Sequence, residues 1–154
     1  MEKIVIDTNV LVNFFLKTGL TGKAKDTIKY VLTNFTPIVF TNILEETTFI
    51  LIREELTHKG IERFYDQRDF IEKNGYESLF VYRKFIEFLI RFDILILENR
   101  CDIEDFRNIM EKFRLLPNDA LIAATCKHYG IKKIATFDED FGRVDFLEIV
   151  DVEK

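Results

Sequence analysis

Tryptophan is absent from this 154-residue sequence, and cysteine, histidine and proline occur only twice each. Cys101 and Cys126 make no CxxC pair, and His58 and His128 have no metal-ligand spacing, so a disulfide framework and structural zinc are both poor fits. Six glycines and two prolines are too few for collagen-like or low-complexity chains. No apolar stretch reaches the ~18 residues of a membrane span, and no charged segment with a cleavage site precedes the first strand-like run. The expectation is a cytoplasmic protein with reduced thiols and no membrane contact.

Positive charge is also in short supply: 22 Lys and Arg stand against 27 Asp and Glu, a net charge of -5. Coating nucleic acid nonspecifically draws on Lys and Arg and does not suit that balance. An enzyme acting on nucleic acid does suit it, if the surplus acid is gathered where cations bind. What the chain has in quantity is apolar side chains, 47% of the total, with 16 Phe among them. A chain of this length buries roughly 70% of its unfolded surface. Residues 1–154 are therefore expected to form one domain around a Phe-rich core.

Five short apolar runs read as strands: residues 3–6, 37–40, 94–97, 133–136 and 146–150. Their continuous apolar character predicts strands covered on both faces, as in a parallel sheet between helical layers. Helical spacing predicts helices over 9–17, 21–34, 41–58, 60–73, 76–91, 103–114 and 118–129, with Gly60, Gly75 and Gly130 at C-terminal stops. The alternation is α/β. Residues 59–92 interrupt it with two extra helices, read as a hairpin packed on one edge.

Several acids fall where such a fold builds sites, at the carboxyl ends of the strands. Asp7 closes the first strand in "KIVIDTNVLV", a place where Asp also serves as a helix cap. Asp138 lies two residues past Thr136 at the end of the fourth strand, in "IATFDEDF", so both carboxylates can face one crevice. Glu139 and Asp140 beside it read as ordinary charges of a short surface helix. Asp119, in "LLPNDALIAA", sits in a helical first turn, where the macrodipole alone favours an acid. In "FTNILEETTFILIR" two acids interrupt an apolar helix, and periodicity does not choose between Glu45 and Glu46.

Carboxylates that converge cannot all stay ionised without compensation. A divalent cation supplies it, and an oxygen-only donor set selects Mg²⁺ or Mn²⁺ over zinc or copper. Such an ion polarises a phosphate oxygen and acidifies water, which makes phosphodiester hydrolysis the natural chemistry.

Taken together, "VIDTNVLV", "NILEET", "LPNDALIAA" and "IATFDEDF", in that order over nearly the whole chain, resemble the PIN domain family of metal-dependent ribonucleases, many of them VapC-type toxins. The resemblance implies a three-layer α/β sandwich whose parallel sheet of about five strands has the order 3-2-1-4-5. It implies Asp7, Glu46, Asp119 and Asp138 as catalytic metal ligands for Mg²⁺ or Mn²⁺, with Asn9 and Thr136 in support. Glu46 is preferred because Ile43, Leu44 and Glu46 match the family's aliphatic-Leu-x-Glu frame, with Glu45 the alternative. The implied activity is endoribonuclease cleavage of single-stranded RNA, leaving a 5′ phosphate and a 3′ hydroxyl. The implied partners are RNA, a cognate antitoxin and a second copy of the chain.

Two other readings compete. An aspartyl-phosphate phosphotransfer domain is disfavoured because "DTN" lacks a second Asp and no Lys closes a strand-like run. A catalytically silent module binding RNA or protein is disfavoured because all four acids are present.

Overall fold

Ile4, Val5 and Ile6 have no solvent exposure, and the central position of their strand explains it. In the computed structural model, which describes residues 1–152, β1 (Lys3–Ile6) lies between β2 (Thr36–Phe40) and β4 (Lys133–Ala135). β3 (Leu95–Leu97) and β5 (Glu148–Ile149) form the edges, so the parallel sheet has the order β3-β2-β1-β4-β5. The helices are α1 (Thr8–Phe15), α2 (Thr21–Asn34), α3 (Thr41–His58), α4 (Phe64–Asn74), α5 (Val81–Arg91), α6 (Ile103–Phe113) and α7 (Pro117–Tyr129), with a 3₁₀ turn at Glu139–Arg143. α1 packs on α2, α3 and α5, while α6 and α7 pair separately, giving the helix, sheet, helix layering expected. No helix among the described residues is long and apolar enough to cross a membrane.

Strand order reverses at β1, which is followed in the chain by its neighbour on one side and joined later by β4 on the other. Register pairs Ile6 with Ala135, so the next residues, Asp7 and Thr136, emerge side by side at the carboxyl edge. Such a reversal opens a crevice. α7 approaches it closely because Ala120, Ala123 and Ala124 are buried and small.

The edges and the extra helices differ from the sequence expectation. Leu95 and Ile96 in β3 are 43% and 40% exposed rather than covered, because β3 pairs only with β2. β5 shrinks to two residues, since Phe146 and Leu147 lie in a turn closed by the Leu147 N–H on the Val144 carbonyl. α4 starts at Phe64, not at residue 60. Gly60, at φ 86°, ends α3 in a Schellman turn: its N–H meets Thr57 O and the Ile61 N–H meets Leu56 O, which redirects the chain. Buried Gln67 then fastens that turn by donating to Ile61 O at 2.8 Å.

α5 starts at Val81, not at residue 76, because its cap comes from another helix. The Glu55 carboxylate accepts from the Phe80 N–H at 2.8 Å and the Val81 N–H at 3.0 Å. An acid at a helix N-terminus also meets the favourable end of the macrodipole. A cap supplied from 25 residues away leaves no local mark in the sequence.

Candidate metal centre

Asp7 is 6% exposed, an uncommon state for a carboxylate. It is tolerated because both oxygens are bonded: Oδ1 accepts from the Thr8 N–H at 2.8 Å, and Oδ2 accepts from Thr136 Oγ1 at 2.8 Å. The first bond makes Asp7 the cap of α1, so the structural and the chemical reading of this residue hold together. Thr136 is held in turn, its Oγ1 accepting from Asn9 Nδ2 at 3.3 Å and from the Asp138 N–H at 3.0 Å. Asn9 Oδ1 accepts from the Phe137 N–H at 3.1 Å. Asn9 and Thr136 thus tie the loop after β4 to the start of α1.

Asp7, Glu46, Asp119 and Asp138 line one cleft of about 300 Å³, together with Asn9 and Asn118. Of the two adjacent acids in α3, Glu46 faces this cleft and Glu45 is exposed. Glu46 Oε2 accepts from Thr8 Oγ1 at 3.3 Å and from Asn118 Nδ2 at 3.0 Å. A closer group overlaps the cleft: Asp119, Asp138 and Asp140 each offer an oxygen within 4.8 Å of the others. Asp7 and Glu46 are not in that close group, whereas Asp119 and Asp138 belong to both sets.

Asp140 is the residue that sequence reading passed over as a surface charge. Its position follows from the 3₁₀ turn, where Asp138 Oδ1 caps the Asp140 N–H at 2.9 Å and folds the two side chains back toward α7. The signal available was the D-x-D spacing just past the strand. Arg143 pairs with Asp140 at 2.8 Å while donating to Phe113 O and Arg114 O, each also at 2.8 Å. This guanidinium binds the 3₁₀ turn to the end of α6.

The electrostatics record what the cleft lacks. No Lys or Arg is among its lining residues. Burial, then repulsion from Glu46 and Asp138, raises Asp7 from 3.8 to about 6, although the Thr136 and Thr8 hydrogen bonds pull it back. Asp119 rises to about 7, through burial and then repulsion from Asp7, Asp138, Asp140 and Glu46. The carboxylates are therefore short of positive charge near neutrality. An all-oxygen donor set with uncompensated negative charge fits Mg²⁺ or Mn²⁺. Cys126 is unsuited to this chemistry, since burial and then the charge of Asp7 push its thiol up to about 12.

The PIN domain profile matches residues 4–147 of this chain. Ribonuclease VapC6 of Methanocaldococcus jannaschii is 36% identical over 158 residues, covering 97% of each chain. Two solved structures share the fold at low identity. Mycobacterium tuberculosis VapC20, a Sarcin-Ricin loop cleaving toxin, superposes with a TM-score of 0.60 at 14% identity, over 95% of this chain and 98% of that one. Rickettsia felis VapBC2, bound to a DNA fragment from its promoter, superposes with a TM-score of 0.62 at 16% identity, over 96% and 97% of the chains.

Proposed function

This chain belongs to the PIN domain family, and on that footing we propose that it is an endoribonuclease that hydrolyses single-stranded RNA with Mg²⁺ or Mn²⁺. The observation that carries the proposal is the crowding of Asp7, Glu46, Asp119 and Asp138 into a cleft without a cation among its lining residues. Asp140 adds a fifth carboxylate at its rim. Asp119, Asp138 and Asp140 are the side chains we assign to hold an ion together, with Asp7 and Glu46 completing the site.

A divalent ion bound here supplies charge for the phosphate oxygens and lowers the pKa of water, the two needs of in-line phosphodiester hydrolysis. The protein's own part is to keep the carboxylates close and still. Thr136 and the Thr8 N–H favour the charged form of Asp7, and Thr8 and Asn118 hold Glu46. Because the donors are fixed before substrate arrives, little reorganisation is left for the reaction step. Asp138 also lines a neighbouring hollow, with Lys23, Thr136, Phe137, Glu139 and Asp151.

The family reading also assigns an antitoxin-like protein partner, in keeping with the likeness to VapBC2, and, by family analogy alone, a homodimer. Light scattering of the purified chain measures the second directly. For the activity, the test is cleavage of single-stranded RNA by purified protein with Mg²⁺ or Mn²⁺, in chelator, and after Asp7→Asn or Asp119→Asn. Cleavage that needs the ion and disappears in both folded variants supports the proposal. Equal cleavage in chelator defeats it.

A further inference from the structure

Glu46 ends a chain of side-chain amides that runs in one direction only. Asn118 Nδ2 donates to Glu46 Oε2 at 3.0 Å, and Asn42 Nδ2 donates to Asn118 Oδ1 at 3.0 Å. An ionised carboxylate only accepts, so it obliges Asn118 to present its amino group. Asn118 then has its carbonyl left for Asn42, which must present its amino group in turn. What the chain leaves over is Asn42 Oδ1, buried and without a hydrogen-bond partner among the described residues. A buried orphan acceptor is rare in folded proteins and needs a reason. Turning the Asn42 amide over would set two carbonyl oxygens facing each other at Asn118, so donation toward Glu46 accounts for the orphan.

The root of the chain is firm. The Asn42 N–H donates to Asn99 Oδ1 at 2.8 Å, Thr41 Oγ1 donates to the same oxygen at 2.9 Å, and Asn99 Nδ2 donates to Thr125 Oγ1 at 3.3 Å. These bonds fix the first turn of α3, which has no side-chain cap from its own Phe40. At the other end, Thr8 and Asn118 both take Glu46 Oε2, so Oε1 is spent on neither.

We propose that Asn118 and Asn42 are positioning residues, a directional amide relay that holds Glu46 Oε2 and leaves Oε1 for the divalent ion. The proposal rests on the metal-dependent reading above and adds to it how the acid from α3 is aimed. In this proposal each amide acts through Glu46.

Asn42→Asp is the discriminating change. A carboxylate at position 42 accepts only, so it draws the Asn118 amino group toward itself and turns the Asn118 carbonyl toward Glu46. Charge alone predicts the reverse, since an added anion near a cation site tightens the ion. Titration of Mn²⁺ into the purified protein by calorimetry should show affinity lowered about threefold by Asn118→Ala and about fivefold or more by Asn42→Asp. The double variant should lose no more than Asn42→Asp alone, because both changes break one chain. Saturating Mn²⁺ should restore most of the RNA-cleavage kcat, which separates ion placement from turnover. Asn118 is exposed, so Asn118→Ala carries the test even where position 42 does not accept Asp.

Wild-type or tighter Mn²⁺ affinity in Asn42→Asp, or unchanged affinity in Asn118→Ala, overturns the relay. If Asp119→Asn abolishes uptake while both amide variants keep wild-type affinity, the relay is wrong and the metal site stands. A wild-type protein that takes up no Mn²⁺ removes both.

Discussion

Thr136 Oγ1 donates to Asp7 Oδ2 at 2.8 Å, joining residues 129 positions apart. That hydroxyl is also the acceptor for the Asp138 N–H at 3.0 Å, so one side chain fixes two of the acids of the cleft. Thr136→Val keeps the shape and removes the oxygen. It leaves Asp7 short of a buried partner, which costs about 1–3 kcal/mol. Urea unfolding at pH 7 should register that loss, and RNA cleavage should fall with it; an unchanged unfolding midpoint would mean the bond contributes nothing.

Stability without metal should depend on pH in the direction opposite to that of a paired carboxylate. Asp7 titrates near 6 in the folded chain against 3.8 when unfolded, and Asp119 near 7. Folding thus favours the protonated forms. Their stabilising contribution is complete below about pH 4 and is lost as pH rises through 6 and 7, amounting to about 3 kcal/mol for Asp7. Thermal melts in chelator, corrected for other groups by comparison with Asp7→Asn, should show this fall. Mn²⁺ should raise the melting temperature far more at pH 7.5 than at pH 5.

Removing charge from the cleft should separate stability from function. Asp119→Asn relieves repulsion from four neighbouring carboxylates, so the metal-free variant should melt at or above the wild-type temperature. The same variant should lose RNA cleavage by about a hundredfold or more. A variant that is both unstable and inactive would indicate that Asp119 serves the fold.

Glu45 and Glu46 provide an internal control. Glu46→Gln should weaken cleavage and Mn²⁺ affinity, whereas Glu45→Gln, on the exposed side of α3, should behave as wild type in both assays. The reverse result would exchange their roles.

Arg143 holds the Phe113 and Arg114 carbonyls and Asp140 at once. Arg143→Met should destabilise the fold by about 1 kcal/mol, the net worth of hydrogen bonds lost at a half-exposed site. Arg143→Lys should recover only part of this, since an ammonium cannot span three acceptors in the same plane. Urea unfolding of the two variants measures the difference.

The layers were legible because buried strands read as unbroken apolar runs, and Asp7 and Asp138 because acids just past strand ends stand out against them; the strand order and the choice of Glu46 came from the resemblance to the PIN domain family. The exposed edge strand was misjudged because Leu95 and Ile96 look the same in sequence whether a helix covers them or not. The starts of α4 and α5 were misplaced because Gln67 and Glu55 act across loops, and hydrogen bonds between distant positions carry no periodicity.

Within the chain itself, residue type pointed to oxygen donors at the carboxyl edge of a parallel sheet. Only tertiary structure decided that Asp140 joins Asp119 and Asp138, that Glu46 and not Glu45 turns inward, and that Asn42 and Asn118 line up behind it. The reason is range: burial and helix or strand period act over a few residues, whereas repulsion among carboxylates and the direction of an amide chain exist only once segments far apart in sequence have been packed together.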